Sequence, residues 1–306
     1  MKMTNNSKLK TLLCDPESGV CEVPVSQNME NEQVLKLEEQ LTIHYFTDPI
    51  CSSCWAIEPQ LRKLKLEFGT TFSIDYHMGG LLPDWSYNSG GISKPADVAQ
   101  HWDEVSAYYD MPIDGDLWLE NPLHSSYPPS IAFKAVQLQD PKKAVTFMRL
   151  IREKVFLRKE NIADPLVLET SVRELGLDVE KFHQDIEFKA RLLFDDDLRL
   201  AQLFRVRSFP SLFFVSKGEV KAQLIGSKPY SFFEDALLKC LPTAEKTNYS
   251  TDWETLFGYY PSLTALEYSV LANMDRSVTE HFLKALSDEG KLRKFETKNG
   301  ALWSIK

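Results

Sequence analysis

The stretch Leu41-Thr42-Ile43-His44-Tyr45-Phe46-Thr47-Asp48-Pro49-Ile50-Cys51-Ser52-Ser53-Cys54-Trp55 decides how this chain is read. Leu41 to Thr47 is a strand-like apolar run. From Trp55 onward, Ile57, Leu61, Leu64, Leu66 and Phe68 recur at roughly helical spacing up to Gly69, a suitable helix end. The two cysteines therefore fall where a strand turns into a helix, and a C-x-x-C pair at such a junction is a redox-type signature. Free amide N–H groups and the positive end of the helix dipole favour a thiolate at Cys51. The dipole contributes about 0.3–1 kcal/mol, against about 1.36 kcal/mol per pKa unit. Starting from about 8.5, that predicts only a moderately acidic thiol, because Ser52 and Ser53 add no cation. In chain order Cys51 is expected to be the accessible, attacking sulfur and Cys54, one turn inside, the resolving one. A zinc half-site or a pair of idle thiols fits the same spacing.

Working outward, Phe72, Ile74, Tyr76 and Met78 alternate with polar residues as a strand does, and Gly79-Gly80 closes the run. From about Ser93 to Val206 the pattern is helical. Asp164-Pro165 opens one helix that Gly176 ends, and Asp178 caps the next, with Val179, Phe182 and Ile186 on one face. Tyr127-Pro128-Pro129 marks a break between helices, and Asp195-Asp196-Asp197 is expected on a solvated helix face. Strand character returns in Ser211 to Val215 and Val220 to Ile225 around Lys217-Gly218-Glu219, a hairpin with glycine in its turn, and a helix from Ser231 to Leu241 follows. Cys240 lies on the apolar face of that helix and is expected to be a core thiol. The order β-α-β, helical insertion, β-β-α predicts an α/β thioredoxin fold with a helical domain spliced into it. Pro210, directly before the third strand of that fold, stands where a cis-proline loop would face the C-x-x-C, and proline is tolerated at a strand start.

The expected division is a cysteine-bearing tail at 1–38, a thioredoxin-like domain at 39–92 and 207–243, a helical insertion at 93–206 and a C-terminal extension at 244–306. A chain of 306 residues with 43% hydrophobic and 26% charged residues has the composition of a soluble globular protein. Its net charge of −9 argues against general binding to nucleic acid or a membrane surface. The N-terminal residues lead into polar sequence rather than an apolar segment, which predicts no signal peptide and a cytoplasmic protein, and no apolar run reaches the length of a membrane span. Cytoplasmic thiols are normally kept reduced, so five cysteines do not suggest a disulfide framework.

In the tail, Pro16 and Gly19 suggest a turn that brings Cys14 and Cys21 together, ahead of the acidic stretch from Glu30 to Glu39. These two cysteines are open to three readings: idle thiols, a second dithiol able to exchange with the first, or half of a zinc site completed by Cys51 and Cys54. At the other end, Leu266, Val270 and Leu271 suit one helix, Val278, Phe282, Leu283 and Leu286 a second, and Leu292 to Ile305 a hairpin around Asn299-Gly300. Together they predict a small winged-helix-like unit. Lys291, Arg293, Lys294 and Lys298 raise DNA binding as one use of it; Asp275, Glu280, Asp288, Glu289 and the overall charge favour protein docking or packing.

The segments Thr47 to Trp55, Met78-Gly79-Gly80-Leu81-Leu82, Ser125-Ser126-Tyr127-Pro128 and Phe209-Pro210 resemble the DsbA-type, FrnE-like branch of the thioredoxin superfamily. With the cysteine-bearing tail and the C-terminal extension added, the chain is similar to the SpxH (YjbH) adaptor family. The resemblance implies a protein that binds the transcription regulator Spx and presents it to the ClpXP protease, without a cofactor, under disulfide stress control. It leaves Cys51 and Cys54 as sensor, remnant or working pair. The alternative is a cytoplasmic dithiol-disulfide oxidoreductase using Cys51, Cys54 and the Pro210 loop.

Overall fold

A computed structural model describes residues 13–15, 20–22, 41–86 and 93–306. The N-terminal unit, taken by itself, shows two short strands, β1 (Leu13–Asp15) and β2 (Val20–Glu22), paired antiparallel in a register that sets Cys14 opposite Cys21. The turn at Pro16 and Gly19 and the acidic stretch Glu30–Glu39 lie outside the described residues.

Residues 41–306 form one compact unit. Its central sheet contains β3 (Leu41–Thr47), β4 (Phe72–Met78), β5 (Ser211–Ser216) and β6 (Glu219–Ile225) in the order β4-β3-β5-β6. β3 and β4 run parallel, so a crossover must join them, and it is supplied by α1 (Ser52–Ala56) and α2 (Glu58–Phe68). β5 pairs antiparallel with β3 and with β6, and the hairpin turn places both Lys217 and Gly218 at positive φ, the backbone twist a two-residue hairpin needs. Ile43, Tyr45, Leu212 and Phe214 pack on one face of the sheet against α2 and α10 (Tyr230–Cys240). Phe46 and Phe213 point to the other face, where they meet Ala201 and Phe204. Both central strands are thus covered on two sides, which explains their near-continuous apolar sequence.

The expected single helix after the cysteines is two. Helix α1 ends at Ala56 and α2 begins at Glu58, with Ile57 as the cap between them, because Pro59 lacks an N–H and resets the first turn. The helical insertion comprises α3 (Pro95–Tyr109), α4 (Leu117–Glu120), α5 (Tyr127–Gln139), α6 (Pro141–Leu157), α7 (Pro165–Glu174), α8 (Val179–Glu187) and α9 (Lys189–Leu203). Asp140, Asp164 and Asp178 cap α6, α7 and α8 through their side chains, and prolines open α3, α5, α6 and α7. Tyr127-Pro128-Pro129 accordingly starts a helix. One correction concerns the acidic run: Asp195 and Asp196 are exposed, but Asp197 is buried. It accepts from the Met78 amide at 2.7 Å, pairs with Lys134 at 2.5 Å and meets His77 Nδ1 at 2.9 Å, joining α9 and α5 to the edge strand β4.

The C-terminal extension holds α11 (Trp253–Tyr259), β7 (Ser262–Thr264), α12 (Ala265–Ala272), α13 (Arg276–Asp288), β8 (Leu292–Thr297) and β9 (Gly300–Ile305), with sheet order β7-β9-β8 around a core that includes Trp303 and Tyr268. Its hairpin turns at Lys298-Asn299, one residue before the expected Asn299-Gly300 centre. The turn is held from outside: Lys298 bridges Asp103 and Asp116 at 2.6 and 2.7 Å, while Asn299 donates to Asp103 and to the Ile113 carbonyl. Hydrogen bonds to those two carboxylates push the Lys298 amine well above its ordinary range. Lys291 pairs with Glu289 and Lys294 with Glu296, so three of the four cations that raised DNA binding are neutralised locally.

Beneath the extension, Glu267 is fully buried and accepts a two-pronged contact from Arg149 at 2.8 and 3.0 Å, with Arg62 at 3.2 Å. Burial alone would push the Glu267 carboxyl up, but the Arg149 and Arg62 guanidiniums outweigh it and hold the carboxyl below its ordinary value. Removing one partner of such a buried set leaves uncompensated charge. Glu267→Ala is therefore expected to lower stability by about 3–5 kcal/mol, read from the urea midpoint; a loss under about 1 kcal/mol would show that the cluster is not structural.

Candidate functional site

The short helix α1 presents the cysteines. Cys51 is its N-cap, with extended backbone, and its Sγ accepts from the Cys54 amide at 3.2 Å. The Cys51 carbonyl accepts from Cys54 and Trp55 at 3.0 Å each, and the Cys51 amide donates to the Asp48 carbonyl at 3.2 Å. Cys51 and Cys54 are joined as a disulfide, with their Cα atoms 5.1 Å apart. The expected accessible thiol needs correction: Cys51 is only 4% exposed and Cys54 is fully buried, because both pack into the core of the central sheet, with Phe209 against the same cluster. Access to Cys51 is through a cleft of about 800 Å³, lined on one side by Ile50 to Ser53 and Gly79 to Pro83, and on others by Val206 to Phe209 and the insertion residues Val98, His101, Trp102 and Trp118.

The loop that ends at Phe209 therefore shares a cleft with Cys51, and the Phe209–Pro210 peptide bond is cis. Gly79 is required beside it, since a Cβ there would fall 2.0 Å from the Phe209 ring. These are the residues the sequence pattern brought together. Cys240 lies elsewhere: its thiol is partly buried on α10 and donates to the Ala236 carbonyl at 3.1 Å. For the four-cysteine zinc set, Cys51 and Cys54 are occupied with each other, and the side chains of Cys14 and Cys21 lie outside the described residues. Among the described residues no cluster of three His, Cys, Asp or Glu is placed to hold a metal ion.

Several residues that shape the site lie within the quoted segments but had no role assigned from the sequence. Asp48 is fully buried behind Cys51; its Oδ1 accepts from the Ile50 amide at 3.1 Å, and its Oδ2 accepts from the Leu81 amide at 2.8 Å and the Ser126 hydroxyl at 2.9 Å. One carboxyl thus ties the cysteine loop to the Gly79–Leu82 segment and to the start of α5. Burial pushes Asp48 up to about 6, against the opposing effect of those donors and of the nearby Arg152 charge. Trp55, next to Cys54, is fully buried; its Nε1 donates to the Pro112 carbonyl at 3.1 Å, Phe156 stacks on it, and the Arg149 guanidinium lies 4.4 Å from its ring centre.

Residues 44–235 match the Thioredoxin_5 family model, described as thioredoxin. The ClpXP adapter protein SpxH of Halalkalibacterium halodurans is 32% identical to this chain over 296 residues, covering 95% of the chain and 96% of the relative. SpxH of Bacillus subtilis is 28% identical over 271 residues, covering 87% and 89%. Among solved structures, the cytosolic disulfide reductase DsbM from Pseudomonas aeruginosa superposes with a TM-score of 0.53 at 23% identity, covering 64% of this chain and 98% of its own, which shows a shared fold. No helix among the described residues is long and apolar enough to cross a membrane.

The raised Asp48 fixes the sign of a pH effect. A carboxyl held above its ordinary value in the folded state stabilises the fold at low pH, and that contribution is lost as pH rises through about 6. The stability of the parent protein relative to Asp48→Asn should therefore fall mainly between about pH 4 and about pH 6 and level off above it. Urea melts of both proteins across that window check it, and parallel stability curves would contradict it.

Proposed function

The chain belongs to the SpxH family of ClpXP adapter proteins, and from that membership we propose that it acts in the cytoplasm as an adaptor that presents an Spx-type transcription regulator to the ClpXP protease. The observation that carries this reading is where the kinship extends. The thioredoxin model stops at residue 235, whereas the 32% identical relative spans 95% of the chain and so leaves too little aside to omit the C-terminal extension. That extension is docked on the thioredoxin-like part and on the insertion by buried charges and a tethered hairpin, as a working part of one body would be. Adaptor action needs a shaped surface rather than bond chemistry, and it is compatible with a C-x-x-C pair that is almost fully covered.

A second reading, a dithiol-disulfide oxidoreductase using Cys51 and Cys54 with the Pro210 loop, is favoured by one specific observation: Cys51 lines a cleft large enough to admit a thiol-bearing segment.

The two readings separate in a reconstituted assay. Purified protein should accelerate Spx degradation by ClpXP severalfold, and the double variant Cys51→Ser/Cys54→Ser should retain most of that effect. Absence of acceleration by the parent protein would sink the adaptor reading. If insulin disulfide reduction is fast with the parent and lost in Cys51→Ser, the oxidoreductase reading takes its place.

A further inference from the structure

The cleft beside Cys51 has a composition that adaptor action alone does not explain. It runs from Ile50 and Cys51 past Leu82 and Val98 to the indoles of Trp85, Trp102 and Trp118, which pack edge-to-face. Although the chain carries a net charge of −9, no Asp or Glu among the described residues lines this cleft. Among the described residues, the basic side chains that line it are His101 and Arg207. Arg207 is exposed on the loop before Pro210 and presents a positively charged guanidinium there. At about 800 Å³ the cleft lies within the size range of sites that enclose a ligand rather than a single side chain.

We propose that this cleft selects extended cysteine-bearing segments in which a large apolar side chain and a carboxylate flank the cysteine. The apolar side chain enters the indole-lined end, the carboxylate meets Arg207, and the segment's sulfur lies against Cys51. Burial of the apolar side chain supplies most of the selectivity. The pairing with exposed Arg207 supplies a smaller part and sets the charge preference. The inference rests on the second reading above, in which Cys51 exchanges disulfides, and does not depend on ClpXP.

The experiment uses full-length Cys54→Ser protein, which leaves Cys51 as the reacting thiol of the site. Three pentapeptides carry one cysteine activated as a 2-pyridyl disulfide, flanked by Phe and Glu, by Phe and Lys, or by Ser and Glu. The Cys51 thiolate attacks the peptide sulfur, a Cys51–peptide disulfide forms, the pyridyl disulfide breaks, and pyridine-2-thione leaves and is read by its absorbance. The Phe/Glu peptide should react about tenfold faster than Ser/Glu and about threefold faster than Phe/Lys. Arg207→Glu, a change on an exposed loop, should reverse the Glu-over-Lys order while keeping the preference for Phe. Equal rates for the three peptides would overturn the selectivity. No reaction with any of them would overturn it together with the exchange reading, while acceleration of Spx degradation would stand or fall separately. Should Cys54→Ser fail to fold, calorimetry of the oxidised parent protein with the corresponding serine peptides must give the same order of affinity, and a flat order there also overturns the proposal.

Discussion

The Arg152 guanidinium holds the functional half of this molecule in register. It is fully buried on α6, and it reaches Glu58 at the start of α2 at 2.5 Å, the Thr47 hydroxyl at the end of β3 at 2.6 Å and the Asp48 carbonyl at 3.2 Å. Those three partners bracket the cysteine loop, so one side chain of the insertion fixes the path from strand to C-x-x-C helix. Arg149, three residues earlier on the same face of α6, repeats the device one layer out by covering Trp55 and clamping Glu267 of the C-terminal extension. A buried cation costs several kcal/mol of lost hydration unless its donors are matched; both terminal nitrogens of Arg152 are matched, while its Nε has no hydrogen-bond partner among the described residues. The arrangement therefore tolerates one docking of the three parts and penalises neighbouring ones.

The same constraint separates what the sequence made legible from what it did not. Helix starts in the insertion were readable at Asp164-Pro165 and Asp178 because capping is local chemistry: a side-chain acceptor, a few amide donors and a proline that needs no N–H. The strand order and the shared place of Cys51 and the Pro210 loop followed from period-two runs and turn residues. Burial of charge was not readable. Asp197 belongs to an acidic run that looks solvated, and its partners Lys134, His77 and Met78 come from elements more than sixty residues away in sequence. The break at Ile57 was present as Pro59, but the apolar spacing continues across it because α1 and α2 both face inward. α11 and β7 were missed because each is too short to show a period.

The site shows the consequence of embedding a dithiol in such a frame. In the sequence, Cys51 is a helix-terminal cysteine and would be expected at the surface. In the fold, the Asp48 carboxyl draws the Gly79–Leu82 segment and Ser126 toward the cysteine loop, and the core of the central sheet takes in both cysteines, with Phe209 packed against them. The pair is left with a cleft rather than an open face. A large disulfide-bonded partner would have to thread an extended segment to reach it.

Retention of the fold and addition of the C-terminal extension are therefore linked. Trp55 touches both: its N–H is held by the Pro112 carbonyl, and the Pro112 side chain packs where a Cβ on Gly300 of the C-terminal hairpin would lie only 3.0 Å away. Its ring is capped by Arg149, which binds Glu267. The residue beside Cys54 thus sits between two anchors of the extension. In an enzyme working alone, such bracing would add no chemistry. What it does is keep the thioredoxin-like part, the insertion and the extension together as one compact body.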